Sequence, residues 1–222
     1  MKTKRIHISL NLYMRILLIA LLTLFFQQVK AQPFPGQSKH KVGMTAGINY
    51  SWITGTELQN PTPRTSIVLG TAYRYKMNTN IHFSSEINAS FRGSNFDNGL
   101  TDAYHAMKFI YLDVPINLMF NTSGKEENRY VTFGVEPAYQ LKSEIYVKPD
   151  NIKARFRDMG FKRFDLAAVV GYHFDFYYFG LRPSLRVGLL DINDDLDLPD
   201  VFPETGNGGT IKNVTIDVKL YF

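Results

Sequence analysis

From Lys41 onward the side chains alternate in character with a period of two, over runs of about twelve residues, and few folds tolerate that pattern at that length. Between residues 81 and 92, Ile81, Phe83, Ile87, Ala89 and Phe91 interleave with His82, Ser84, Glu86, Asn88, Ser90 and Arg92. Successive side chains of a strand point to opposite faces, so such a run has one apolar face and one polar or charged face. The pattern returns at Phe164, Leu166, Ala168, Val170, Tyr172 and Phe174, and again at Val214, Ile216, Val218, Leu220 and Phe222.

Eight such segments can be marked, at about 41–52, 64–76, 80–92, 107–120, 129–142, 162–174, 177–190 and 211–222. They exceed the roughly 5–6 residues usual for strands of soluble sheets and suit tilted strands that cross a bilayer. The connections give an independent test. Those at 77–79, 121–128 and 175–176 are short, and those at 53–63, 93–106, 143–161 and 191–210 are long, in strict alternation. Bacterial outer-membrane barrels have an even strand count, short periplasmic turns and longer external loops. The expectation is therefore all-β: one domain over residues 41–222, an eight-stranded antiparallel up-and-down transmembrane β-barrel in contact with outer-membrane lipid.

In a membrane the apolar face points outward and the charged face inward. The expected lumen-facing set is Arg74, Lys76, Glu86, Arg92, Asp113, Glu136, Lys142, Asp165, Arg182, Arg186, Asp217 and Lys219. Arg or Lys at the bilayer midplane costs about 2–4 kcal/mol, so a period of two is what keeps these groups off the lipid. A barrel of about eight strands is filled by its own side chains, and the mixed signs predict a salt-bridged interior without a water channel. Aromatic residues make up 14% of the chain, and Tyr50, Trp52, Tyr73, Tyr75, Phe120, Tyr130, Phe174, Tyr177, Phe179 and Phe222 fall near strand ends, where rings form interfacial girdles.

The start of the chain reads differently. Basic residues precede an apolar run at 16–26, followed by Val29-Lys30-Ala31, the pattern of a secretory signal peptide over 1–31, cleaved to expose Gln32. The run is too short for a membrane-spanning helix, which needs about 20 residues. Met1 and Met14 both serve as a start for this signal. Residues 32–40, with Pro33, Pro35 and Gly36, read as a periplasmic lead-in. The formal charge of +5 invites a nucleic-acid reading, but Lys2, Lys4, Arg5, Arg15 and Lys30 lie in the leader, leaving twenty bases against twenty acids. No nucleic-acid partner is expected. Cysteine is absent, which excludes disulfides, thiolate metal sites, a Cys nucleophile and a lipid anchor on Cys.

Tyr111-Leu112-Asp113-Val114-Pro115-Ile116-Asn117-Leu118 resembles the Y-L-x-[IV]-P-[IL]-x-[IL] stretch of PorT-type outer-membrane β-barrel proteins of the Bacteroidota. Phe174-Asp175-Phe176-Tyr177-Tyr178-Phe179 followed by Leu181-Arg182-Pro183-Ser184-Leu185-Arg186 is similar to that family's aromatic hairpin leading into a P-S-[IL]-R strand. The resemblance implies an outer-membrane location. Because founding members are associated with type IX secretion and gliding motility, it also implies a link to those processes. Pro115 cannot donate to a strand ladder and predicts a bulge or a missing rung. Phe222, with Leu220, Val218 and Ile216 before it, resembles the signal read by the barrel-assembly machinery.

No residue is assigned as catalytic, cofactor-binding or metal-binding, and no cofactor is expected. The expectation is a non-enzymatic barrel that acts structurally or by contacting a protein partner through loops 143–161 and 191–210, since long loops on a rigid scaffold commonly carry binding. The first loop has Lys148, Lys153, Arg155 and Arg157; the second has Asp191, Asp194, Asp195, Asp197 and Asp200, which could pair with the first or hold Ca²⁺. The acidic loop lacks the glycine and final glutamate of a helix-loop-helix calcium site. Two rivals stand beside this reading. One is a lipid-modifying enzyme using Ser184 with His173 and Asp175, although no nucleophile elbow surrounds Ser184. The other is a soluble lipocalin-like carrier, although Gly47-Ile48-Asn49 stands where a Gly-x-Trp would be expected.

Overall fold

The computed structural model describes residues 39–55, 61–97, 104–148, 154–157, 161–194 and 210–222. The strands in chain order are β1 (His40–Gly55), β2 (Pro61–Lys76), β3 (Ile81–Asp97), β4 (Tyr104–Asp113), β5 (Ile116–Asn121), β6 (Arg129–Lys148), β7 (Ala154–Arg157), β8 (Phe164–Asp175), β9 (Gly180–Gly188) and β10 (Ile211–Tyr221). Each pairs antiparallel with its neighbours, and β10 pairs with β1, so the sheet closes on itself. β4 and β5 are two halves of one stave, and β7 pairs with β6 off the ring, which leaves eight staves. Closure leaves the ring of eight staves without a first or last strand, the one way a sheet can lie in lipid without unpaired backbone groups.

The break between β4 and β5 falls at Pro115. The register against β6 runs unchanged across it, from Asp113↔Ala138 to Ile116↔Val135, and the Pro115 carbonyl still accepts from Glu86 N–H at 3.1 Å. Pro115 therefore removes a rung without shifting the strand. A true bulge lies at Leu141, where Ile110 pairs with Lys142 but Tyr111 pairs with Gln140; a second falls between Pro63 and Val68 of β2.

Small barrels bend their strands sharply, and glycine permits the closest approaches. A Cβ on Gly134 would run into the carbonyl oxygen of Ile116 and lie 2.8 Å from Cα of Asn117. Gly93, at φ 152°, would meet the Met107 carbonyl in the same way.

The faces sort as the alternation predicts. Ile48, Ile87, Leu118, Phe133, Val170, Leu185 and Val218 are exposed around the outer wall, while Asn49, Glu86, Asn88, Asn117, Arg186 and Asp217 are buried within. Two bands of rings mark the outer wall: Tyr50, Trp52, Tyr139 and Phe164 towards the end of the long connections, and Tyr73, Phe120, Phe174, Tyr177, Phe179 and Phe222 at the end of the short turns. Tyr130 corrects the expected girdle. It neighbours outward Val131 on the strand and so faces the lumen, 1% exposed, its ring 4.8 Å from that of His82 and its hydroxyl donating to the Glu127 carbonyl.

Strands β1, β2, β3, β4 and β6 run further towards the long connections than the alternation indicated: β3 reaches Asp97, β4 begins at Tyr104 and β6 ends at Lys148. Beyond the lipid the outer wall has no need to be apolar, so the two-fold signature stops while the hydrogen-bonded ladder continues. At the opposite end, a short 3₁₀ turn (Gly124–Glu126) and residues 176–179 make two of the tight connections. The expected signal peptide lies outside the described residues.

Candidate functional site

Four buried cations meet four buried carboxylates in mid-lumen. Arg92 on β3 pairs with Asp113 at 2.5 Å and with Glu136; Arg186 on β9 pairs with Glu136 at 3.1 Å and with Asp217. Glu86 is held by Arg182 and by Lys219 at 2.7 Å. Neutral donors complete the set: Asn88 and the Tyr221 hydroxyl each donate to Glu86 at 2.9 Å, Asn49 accepts from Arg186 at 3.2 Å, and the Ser184 hydroxyl donates to Asp217. Charges withdrawn from water cost several kcal/mol each unless paired and hydrogen-bonded, and the equal count of signs answers that cost. The period of two on β3, β4, β6, β9 and β10 places all eight on one face.

Below this layer, near the short turns, Arg74 reaches Asp175 at 2.5 Å and His173 at 2.5 Å, and His173 Nε2 lies 2.8 Å from Asp175. Lys76 pairs with Glu127 at the same mouth. Above the network, the Tyr111 hydroxyl donates to Gln140 at 3.2 Å, and Asn213 donates to Asp165 at 2.8 Å. The Arg92 guanidinium stands 5.1 Å from the Tyr111 ring centroid.

Nearer the long connections the lumen turns apolar. Ile53, Phe96, Met107, Phe109, Phe161, Ile192 and Ile211 form one buried cluster, with the Phe109 and Phe161 rings edge to face at 4.8 Å. The sequence reading did not anticipate this stopper. Its signal was present in Met107, Phe109 and Tyr111, the inward positions of a strand whose outward positions are Lys108, Ile110 and Leu112. The chain segments around it are pinned by backbone: Phe161 bridges Asn193, Lys162 N–H donates to the Ile192 carbonyl at 2.9 Å, and Ile192 N–H to the Ile211 carbonyl at 2.9 Å.

Of the twelve expected lumen charges, eleven face inward. Lys142 does not: the bulge at Leu141 puts it opposite Ile110 on the outer wall, where it pairs with Glu144 at 2.6 Å. His173 and Asp175 do touch, but Ser184 gives its hydroxyl to Asp217 and sits beside Gly171 rather than His173. Asp191 spends one carboxylate oxygen on the N–H groups of Asn193 at 3.0 Å and Ile211 at 2.7 Å. Burial would raise its pKa, but those two donors, with Lys162 and Lys212 nearby, hold it below the usual carboxylate range. Asp195, Asp197, Asp200 and Lys153 lie outside the described residues.

The sequence matches the outer membrane protein beta-barrel domain family over residues 28–193. Among solved structures, the chain is similar to the attachment invasion locus protein Ail of Yersinia pestis, at 13% identity and TM-score 0.44, covering 83% of this chain and 100% of that one. It is also similar to Neisserial surface protein A, at 8% identity and TM-score 0.45, covering 83% and 98%, and to OprG of Pseudomonas aeruginosa, at 10% identity and TM-score 0.39, covering 84% and 97%. Among curated protein sequences none matches. The barrel is an outer-membrane protein; by the rule for such barrels its short turns are periplasmic and its long connections external.

Proposed function

The chain belongs to the outer membrane protein beta-barrel domain family, and on that footing we propose that it is a non-enzymatic barrel that acts by holding an external platform for a protein partner. The observation that carries this reading is the double filling of the lumen. A ring of paired charges occupies its middle and an apolar stopper its external mouth, so the side chains of the interior serve the barrel rather than a solute. What remains for contact is the external end. There β3, β4 and β6 extend past the lipid-facing belt, and β7 adds a further strand to β6 along Glu144–Val147. A rigid ladder of this kind presents its loops at low entropic cost.

The partner we infer, from the PorT resemblance, is a component of protein secretion or gliding motility. The test is affinity capture from gently solubilised outer membranes, with the intact protein compared with a variant in which residues 149–153 are replaced by a short Gly-Ser linker. Recovery of secretion or motility components by the parent and their loss in the variant is the expected result. Recovery of the barrel alone from both would overturn the proposal.

A further inference from the structure

Outward-facing cations gather along one arc of the external rim. On β4, β6 and β10, Lys108, Lys142 and Lys212 stand one or two residues beyond the last apolar lipid-facing side chains, Ile110, Leu141 and Val214. On the stave between, Lys162 and exposed Arg163 precede Phe164. Since β4, β6, β8, β9 and β10 are successive around the ring, these bases lie along one arc of it. The periplasmic rim is built otherwise, from Tyr73, Phe120, Phe174 and Phe222, and its outward Arg129 is 3.6 Å from Glu126.

The arc also has a notch. Pairing between β8 and β9 stops at Ala167↔Gly188, and beyond the bond from Leu189 N–H to the Leu166 carbonyl, 2.7 Å, the chain turns away to bridge Phe161. The gap is an open groove of about 650 Å³. Phe164 and Leu190, 52% and 38% exposed, form an apolar floor continuous with the lipid-facing wall, and Lys162, Arg163, Asp191 and Asp194 form its upper rim. Of the acids of the arc, Asp191 is spent on backbone N–H groups, and Glu144 is paired with Lys142, so Lys162 and Lys212 carry most of the attraction.

We infer that this arc binds the phosphate groups of an anionic lipid of the external leaflet, and that the notch seats one of its acyl chains against Phe164 and Leu190. Bases just past an apolar belt lie at headgroup height, where each Lys or Arg attracts anionic lipid. Charge complementarity and continuity with the lipid-facing wall both select a lipid. The inference uses the outer-membrane location alone and is independent of any protein partner.

The test is native mass spectrometry of the intact barrel in mild detergent, titrated with a bis-phosphorylated glucosamine lipid, with the same lipid stripped of phosphate, and with inorganic phosphate as competitor. The phosphorylated lipid should be retained in preference to the stripped one. The double variant Lys162→Gln/Lys212→Gln should retain it roughly 30-fold less well, and Leu190→Asn should weaken both lipids. Lys39→Gln, at the periplasmic end, should change nothing. Equal retention of the two lipids, or a double variant indistinguishable from the parent, overturns the inference. Displacement by inorganic phosphate at equal concentration also overturns it, because the arc would then be an ion site and not a lipid seat. Heat-modifiable gel migration checks the fold of each variant, and should the double variant not fold, the comparison of the two lipids on the parent decides.

Discussion

Replacement of Glu86 by glutamine tests the reading of the lumen most directly. One carboxylate oxygen accepts from Arg182 and from the Tyr221 hydroxyl, the other from Lys219 and from Asn88. Glutamine keeps the shape, but its amide nitrogen must face one of those two pairs of donors, and four buried cations are left with three carboxylates. Removing one partner of a buried ion pair costs about 3–5 kcal/mol, which lowers the folding equilibrium by between two and nearly four orders of magnitude. Lys219→Met alone should cost less, about 1–3 kcal/mol, because Glu86 keeps Arg182, Tyr221 and Asn88 while Asp217 keeps Arg186. The double variant Glu86→Gln/Lys219→Met restores the balance of signs, so its cost should fall short of the sum by about 1–3 kcal/mol. Urea titration of the barrel in lipid vesicles, read as loss of the fast-migrating folded band on an unboiled gel, gives all three values. Strict additivity, or a Glu86→Gln barrel within about 0.5 kcal/mol of the parent, would refute the argument that paired charge organises the interior.

Three further outcomes follow from the geometry. Gly134→Ala should prevent formation of the folded band, since its Cβ meets the backbone of Ile116 and Asn117, whereas Gly124→Ala, at φ 65° with open space around it, should cost only about 1 kcal/mol by the same titration. Ile48→Arg should destabilise the barrel by about 2–4 kcal/mol in a bilayer, because Ile48 is 59% exposed on the lipid-facing wall opposite Val218; a cost near zero would mean that the faces are misassigned. The Asp191 carboxyl, held below its usual range, contributes stability that is present above its unfolded value of about 3.9 and is lost as pH falls through the folded one. The protection of the Ile211 amide, taken as its exchange rate relative to the intrinsic rate at each pH, should therefore fall in acid, and Asp191→Asn should flatten that dependence.

Most of the barrel was legible because lipid enforces a simple rule on its wall. Where the outer face must be apolar, as from Ile81 to Phe91, every second residue declares its side, and Glu86, Arg92, Arg186 and Asp217 could be placed inside by counting. Counting failed where its assumption failed. The bulge at Leu141 changes parity without leaving a sequence mark, and Lys142 moves to the outer wall. Tyr130 was assigned by its nearness to a strand end rather than by parity, which puts it in the lumen. Strand ends beyond the membrane, such as Gly93–Asp97, lose the alternation because water accepts either face. The partners within the network could not be read from any single strand, since Arg186 meets Glu136, Asp217 and Asn49 only after five staves have curled together.

The seam where β10 meets β1 sets the order of events in assembly. Thr45↔Tyr221 and the reciprocal bonds between Met44 and Phe222, both 3.0 Å, join the first stave to the eighth. Local hairpins can form early, but this pairing spans almost the entire barrel, and contacts of such sequence separation are slow to form. Until it forms, β1 and β10 each carry an unpaired edge, open to the wrong neighbour. Seven staves do not make seven-eighths of a barrel in lipid; their edges would leave backbone groups unpaired in hydrocarbon. Insertion and closure are therefore coupled, and a helper that holds one edge while the other approaches would act on β1 and β10 rather than on the staves between.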